Sequence, residues 1–235
     1  MGAGAAALTD RGHTARSFAE EYRALRASEG WADQNGHEDP EGGLRRLWRG
    51  RTRAVEEAMR ILLERLGGQA LILDVGAGGG WAARMMRGAR VVAIDLAADM
   101  ADSPLAIRGD MQKLPLSDGV ADGALYAASL HYAPLHAALG EAARVLRPDG
   151  LLVAVDSPIY PGPAETARSV ARARAYYAGA GHPALAASYF PIDAVELRRA
   201  ITEAGLRLER LEVRPRWLQR LRAGPASLVV ASRLR

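Results

Sequence analysis

The chain has no cysteine, a single lysine, two phenylalanines and no apolar run that approaches a membrane span. The missing cysteines exclude disulfides, thiolate metal sites, iron–sulfur clusters and cysteine nucleophiles together, and make the cytoplasm the default expectation. Five scattered histidines offer no metal-ligand spacing, so no metal is expected. Roughly twenty consecutive apolar residues are needed to cross a bilayer, and no membrane association is expected here. The opening residues, Met1 to Leu8, lack a basic region and carry too short an apolar stretch for a signal peptide. Gly2 is not followed by the Ser or Thr of a myristoylation signal, and the first dozen residues are expected to form a loose tail. With Lys113 the only lysine, arginine supplies nearly all of the positive charge. The balance is 31 basic to 27 acidic side chains, a net +4, with a pI near 9.7. Such an excess suits an anionic partner. An alanine- and arginine-rich composition nevertheless points first to biased base usage, and a high pI is only a first screen for nucleic-acid binding.

At 235 residues the chain is near the upper limit for one hydrophobic core, which predicts one α/β domain with a helical addition. A polar helical pattern covers Phe18 to Arg26, and a Gly/Asp/Glu/Asn-rich loop runs from Gly30 to Gly43. Val55, Met59, Leu62 and Leu66 then recur at helical spacing before the stop at Gly67-Gly68. Four short apolar runs follow, at Ala70 to Val75, Val91 to Ile94, Leu125 to Leu130 and Leu151 to Val155. Continuous runs of this kind suit parallel strands covered on both faces. Leu135, Leu139, Ala142 and Leu146 share one helix face before a turn at Arg147-Pro148-Asp149-Gly150. Helices are expected over Ala164 to Ala178 and Pro191 to Ala204, and two closing strands near Leu206 to Leu211 and Leu228 to Ala231. The alternation predicts right-handed crossovers and a Rossmann-like, doubly wound, seven-stranded sheet, mostly parallel with an antiparallel C-terminal strand. The expected division is a tail and helical lid over 1–52 and a main domain over 53–235, with 158–192 as a substrate-covering insertion.

In an open α/β sheet the ligand lies outside the carboxyl ends of the strands. Gly76-Ala77-Gly78-Gly79-Gly80 sits at such an end, where glycines let a ligand approach the main chain. Asp74 precedes the loop, and Asp95 ends the next strand at the spacing where an acid meets ribose hydroxyls. A dinucleotide fingerprint would require glycine where Trp81 stands.

Four ordered motifs resemble class I S-adenosylmethionine-dependent methyltransferases of the small-molecule type. They are Asp74-x-Gly76-x-Gly78-x-Gly80, Val92-Ala93-Ile94-Asp95, Gly109-Asp110-Met111-x-x-Leu114-Pro115-Leu116, and Glu141-x-x-Arg144-Val145-Leu146-Arg147-Pro148-x-Gly150. The resemblance covers roughly residues 53 to 157. It implies S-adenosylmethionine as cofactor, with Asp74 orienting its methionine end and Gly76, Ala77 and Gly78 passing close to methionine and ribose. It also implies Asp95 on the ribose hydroxyls, Leu96 against adenine, Asp110 accepting from the adenine amino group and Met111 donating its amide to the ring. Ser129 joins this set. A fainter likeness, in Tyr22-Arg23-x-Leu25-Arg26-x-x-Glu29-Gly30-Trp31, Ser129-Leu130-His131-Tyr132 and Asp156-Ser157-Pro158-x-Tyr160, is to bacterial methyltransferase-like proteins. Asp149 and Ala121 depart from the family pattern, where glycine and an aromatic are usual.

Methyl transfer needs alignment first, because the sulfonium is already activated, and for some acceptors a base. His131 is the expected base, with an ordinary pKa near neutrality, and a pocket-wall role stays open beside it. Tyr160 is the second expected catalytic residue and also a substrate wall. Tyr22, Trp31, Tyr132 and Ser157 are expected to line the acceptor. The expected acceptor is the O or N of a small metabolite. RNA methylation through Arg214-x-Arg216-Trp217-x-x-Arg220-x-Arg222 is one alternative, and cofactor binding without transfer is another. Absence of an Asn/Asp-Pro-Pro-Tyr-like motif favours the small molecule. A monomer or a homodimer is expected.

Overall fold

The computed structural model describes residues 17–31, 45–86, 88–96, 105–213 and 227–235. Helix α1 covers 17–28. Thereafter come α2 (Arg45–Leu66), β1 (Leu71–Val75), α3 (Trp81–Met85), β2 (Arg90–Asp95), β3 (Ala106–Arg108) and β4 (Ala121–Ala127). A short 3-10 turn, Leu130–Tyr132, leads to α4 (Leu135–Val145), β5 (Leu146–Val155), β6 (Ile159–Tyr160), α5 (Pro163–Gly179) and α6 (Pro183–Ala187). The chain closes with β7 (Ile192–Asp193), α7 (Ala194–Glu203), β8 (Leu206–Val213) and β9 (Ser227–Arg233).

Seven strands form one sheet in the order β3-β2-β1-β4-β5-β9-β8. The first five are parallel, and β9 runs antiparallel to both β5 and β8. This is the expected sheet. Its strands β2 and β4 lie on opposite sides of β1, so the chain reverses its winding there. The resulting crevice at the carboxyl end of β1 is where a ligand belongs.

Strand alternation sorts the apolar runs onto two faces. Leu73 and Val75 meet α4 and α7 through Leu139, Leu197 and Ile201, whereas Ile72, Leu125 and Val153 meet Leu62, Val55 and Trp48 of α2. Both faces are covered, which is why the central strands read as unbroken apolar runs. Helix α2 begins earlier than its apolar spacing suggested and runs unbroken across residues 52 and 53. Its buried stripe extends back to Trp48, whose indole packs edge to face on Trp81 at a centroid distance of 5.2 Å.

Three local expectations change. Leu146 is the first residue of β5 rather than the last of α4, although it stays buried. The turn at 147–150 is an irregularity inside β5, where the register jumps between Ala121 and Gly123 of the neighbour and Asp149 takes a φ of 62°. Pro191 precedes a two-residue strand, β7, which pairs with β6 before α7 starts. The arginine-rich stretch from Arg214 to Arg222 lies outside the described residues.

Candidate functional site

Glycine holds the loop after β1 in a shape other residues resist. Gly76, Gly78 and Gly80 have φ values of 72°, 57° and 79°, in the left-handed region. The amides of Gly76 and Ala77 donate to the Ile94 carbonyl at 2.8 and 3.1 Å, which binds the loop to the end of β2. A Cβ on Gly76 would lie 2.6 Å from Ser129 Cβ and 3.0 Å from Met111 Cε. Ser129 from the end of β4 and Met111 from beyond β3 therefore converge on the glycine loop. Ser129 is buried, and its hydroxyl donates to the Val75 carbonyl at 2.5 Å.

The three acids occupy neighbouring strand ends. Asp74 is fully buried within β1. Asp95, half-buried at the end of β2, accepts the Gly78 amide at 2.9 Å. The Gly109 amide donates to the Asp95 carbonyl at 2.9 Å, bringing the next loop alongside. Within that loop Asp110 Oδ1 accepts the Gln112 amide at 2.8 Å, so the carboxylate caps its own turn. Leu96 is half-buried directly after β2.

The same loop is clamped from α4. Arg144 donates to the carbonyls of Leu114 and Leu116 at 3.0 and 2.7 Å, while Glu141 Oε2 accepts the Leu114 amide at 2.7 Å. Glu141 and Arg144 pair at 2.7 Å, and hydrogen bonds from Arg144 hold the Glu141 carboxyl below its usual range.

Across the crevice, the ends of β4 and β5 turn through Ala128 and Asp156, non-glycine residues with φ of 55° and 56°. Such conformations persist only where the surroundings enforce them. They direct Ser129 to Tyr132 on one side and Ser157 on the other. His131 is buried, with Nδ1 3.4 Å from Ser157 Oγ, and its ring lies 4.2 Å from Tyr132 and 5.3 Å from Tyr189. Burial first, and then the charges of Arg51 and Arg26, push its pKa down to about 3. The imidazole is therefore neutral at physiological pH. Tyr160 accepts a hydrogen bond from Ser169 of α5 at 2.8 Å.

Helix α1 packs over this side. Tyr22 meets Tyr132 edge to face at 5.6 Å, and Phe18 meets it at 5.5 Å. Arg26 donates to the Tyr132 hydroxyl at 3.0 Å and pairs with Glu29 at 2.5 Å, and Glu29 in turn accepts from Tyr176 of α5. Trp31 joins through Arg26, whose guanidinium carbon lies 4.8 Å from its ring centroid.

With this geometry in place, residues 73–154 match the family described as a methyltransferase domain. The match covers about a third of the chain, from within β1 to within β5. The chain is similar to an uncharacterised methyltransferase of Mycobacterium tuberculosis, 37% identical over 90 residues, which are 34% of this chain and 37% of the relative. The match thus spans little more than a third of that relative's length. Among solved structures it is similar to 1,6-didemethyltoxoflavin-N1-methyltransferase of Burkholderia thailandensis, at 21% identity, 94% of this chain, 90% of that chain and a TM-score of 0.58. It is also similar to geranyl diphosphate C-methyltransferase of Streptomyces coelicolor A3(2), at 18% identity, 83% and 88% coverage and a TM-score of 0.58. At these identities the two structures share the fold.

In this chain the glycine loop contacts Asp95, Met111 and Ser129, with Asp74, Leu96 and Asp110 at the neighbouring strand ends, and His131 contacts Ser157 and Tyr132, on which Tyr22 packs. Trp31 reaches the group through Arg26 and Arg51. Reading of the residues assigned no role to Arg51, Trp48, Tyr177 or Tyr189. No motif marks them, because they come together only when α1, α2 and α5 pack.

Proposed function

We propose that the chain transfers the methyl group of S-adenosylmethionine to an oxygen or nitrogen of a small molecule. The observation that carries this reading is the alignment of Asp74, Asp95 and Asp110 at three adjacent strand ends, together with the aromatic cluster of Tyr22, Tyr132, Tyr189 and His131 beyond β4. The left-handed glycine loop, packed at Gly76 against Ser129 and Met111, and the bond between Gly78 and Asp95 fit the cofactor. When bound, the cofactor supplies a sulfonium-activated methyl group.

The chain's own residues do the rest. Asp95 would hold the ribose hydroxyls, Asp74 would orient the methionine end, and the loop at Asp110 and Met111 would receive adenine against Leu96. Ser129 fixes the end of β4 against Val75. His131, kept neutral by burial, offers a ring nitrogen to an acceptor hydroxyl or amine and to Ser157. Its disfavoured protonation suits a hydrogen-bonding wall better than a general base, for which a pKa nearer ambient pH is efficient. Tyr160, fixed by Ser169, completes the wall with Tyr132 and Ser157.

The division we propose makes α1, with Tyr22 and Trp31, a cover over the acceptor side. Helices α5 and α6 support it. Leu25, Tyr177 and Leu185 form one small core between them, and the Leu185 amide donates to Glu21 at 3.1 Å. A cluster of aromatic side chains of this kind suits a small, largely apolar acceptor. Incubation with methyl-labelled S-adenosylmethionine and fractionated bacterial extract tests the reading. Label should enter low-molecular-weight material; label confined to RNA would overturn the small-molecule assignment.

A further inference from the structure

Arg26 enters the aromatic cluster from α1, and only 13% of its side chain stays exposed. Its planar guanidinium holds its N–H donors in a fixed fork. Nη1 donates to Glu29, and Nη2 donates to the Tyr132 hydroxyl at 3.0 Å. Nε shares an edge of the group with Nη2; it is buried and, among the described residues, has no hydrogen-bond partner. A buried donor left unpaired is costly, which points to an acceptor atom brought by a ligand.

Tyr132 supplies a second donor beside it. Because its oxygen accepts from Arg26, its proton is directed elsewhere, and among the described residues it meets no acceptor. Around the Tyr132 ring lie Phe18, Tyr22, His131 and Tyr189, at centroid distances of 5.5, 5.6, 4.2 and 6.1 Å. The field among these rings is positive. Beside the effect of burial, Arg51 of α2 and Arg26 lower the pKa of His131, and the charge of Arg26 works against the rise that burial causes in Tyr177 of α5 and in Tyr189. Arg172 acts on Tyr189 in the same sense, while the opposing charge of Glu29 is held between Arg26 and Tyr176. Such a site penalises an ammonium group and favours an oxyanion.

We propose that the acceptor is a phenol bound as its phenolate, with the oxyanion accepting from Arg26 Nε and from the Tyr132 hydroxyl. The proposal rests on the methyltransferase reading and narrows its acceptor. The proton of the phenol passes to solvent as it binds. The electron pair left on oxygen forms the new O–CH3 bond as the sulfonium C–S bond breaks, so the neutral His131 is not called on as a base.

Visible absorbance reads the phenolate of 4-nitrophenol directly, and 4-nitroanisole is its methylated counterpart that cannot ionise. Both are titrated into the full chain saturated with S-adenosylhomocysteine, with calorimetry giving the affinities. Bound 4-nitrophenol should ionise about one pH unit or more below the free compound, and at neutral pH should bind about 10-fold or more tightly than 4-nitroanisole. Arg26→Met should return the midpoint to that of the free compound and remove the preference, leaving the affinity for 4-nitroanisole unchanged. Arg26→Lys should keep part of the shift. Tyr132→Phe, which leaves Arg26 paired with Glu29, should weaken 4-nitrophenol alone. Thermal melting establishes that the variants are folded. An unshifted or raised midpoint in the wild type, equal losses for both ligands in Arg26→Met, or binding of neither ligand would overturn the proposal. So would an Arg26→Met loss for S-adenosylhomocysteine that methylthioadenosine, which lacks the amino-acid portion, does not share, because it would place Arg26 on the cofactor. If the wild type binds no S-adenosylhomocysteine, the methyltransferase reading falls instead. The midpoint of 4-nitrophenol on the nucleoside-free chain then decides whether Arg26 holds an oxyanion.

Discussion

The Asp95 carboxylate accepts the amide of Gly78 at 2.9 Å, so the acid that ends β2 and the glycine loop that follows β1 form one unit. Two more amides, of Gly76 and Ala77, end on the carbonyl of Ile94 next to it. Position of the acid and shape of the loop are therefore set together.

Asp95→Ala should lower affinity for S-adenosylhomocysteine by at least about 10-fold, because hydrogen bonds to a charged acceptor are worth roughly 1.5–3 kcal/mol. Asp95→Asn, which keeps one acceptor oxygen, should fall between. Calorimetry checks both, and an unchanged affinity would remove Asp95 from the cofactor site.

Gly76→Ala should cost about 1–3 kcal/mol of stability and most of the cofactor affinity. The new Cβ meets Ser129 at 2.6 Å, and φ of 72° disfavours any side chain. Gly140→Ala is the control. Gly140 lies inside α4 with nothing within 4 Å of a new Cβ, so alanine there should stabilise by roughly 0.5–1 kcal/mol. Urea denaturation of the two variants should move in opposite directions.

How far these features were legible depends on whether they are local. The runs at Leu71, Val91 and Leu151 announced β1, β2 and β5 because both sheet faces are covered, and Asp74, Asp95 and Asp110 could be located in the fold because each sits at a strand end or within two residues of one. Strand β3 stayed hidden: Ala106, Ile107 and Arg108 carry no apolar run, being an edge strand with two exposed residues. The pairing of β6 with β7 was hidden as well, since Ile159 and Ile192 are brought together only through α5 and α6. The same applies to Arg51 and Trp48, whose partners come from distant segments.

Arg144→Met should loosen the loop that carries Asp110 and Met111. The arginine bridges two carbonyls of that loop and Glu141, and its removal leaves polar groups to water or unpaired, at about 1–3 kcal/mol. Hydrogen exchange at 109–116 should quicken and cofactor affinity should fall, while Glu141→Gln, which keeps an oxygen for the Leu114 amide, should do less. Loss of stability with exchange unchanged in that loop would refute the clamp.

The burial of His131 makes stability fall with acid. Its ordinary pKa of 6.5 is lowered to about 3 in the fold, so the unfolded chain binds the extra proton throughout that interval. Stability from this group is complete above about pH 6.5 and declines by about 1.4 kcal/mol per pH unit towards pH 3. Replacing it, as in His131→Asn, should flatten the slope between pH 7 and 5 in urea denaturation. An unaltered slope would mean that His131 is protonated in the folded protein.

The most direct test of the whole account is calorimetric titration of the wild-type chain with S-adenosylmethionine and S-adenosylhomocysteine. Saturable binding of both at a single site, with Asp95→Ala greatly weakened, is the predicted result. Absence of measurable binding by the folded wild type at millimolar ligand, well above ordinary cofactor requirements, would contradict it.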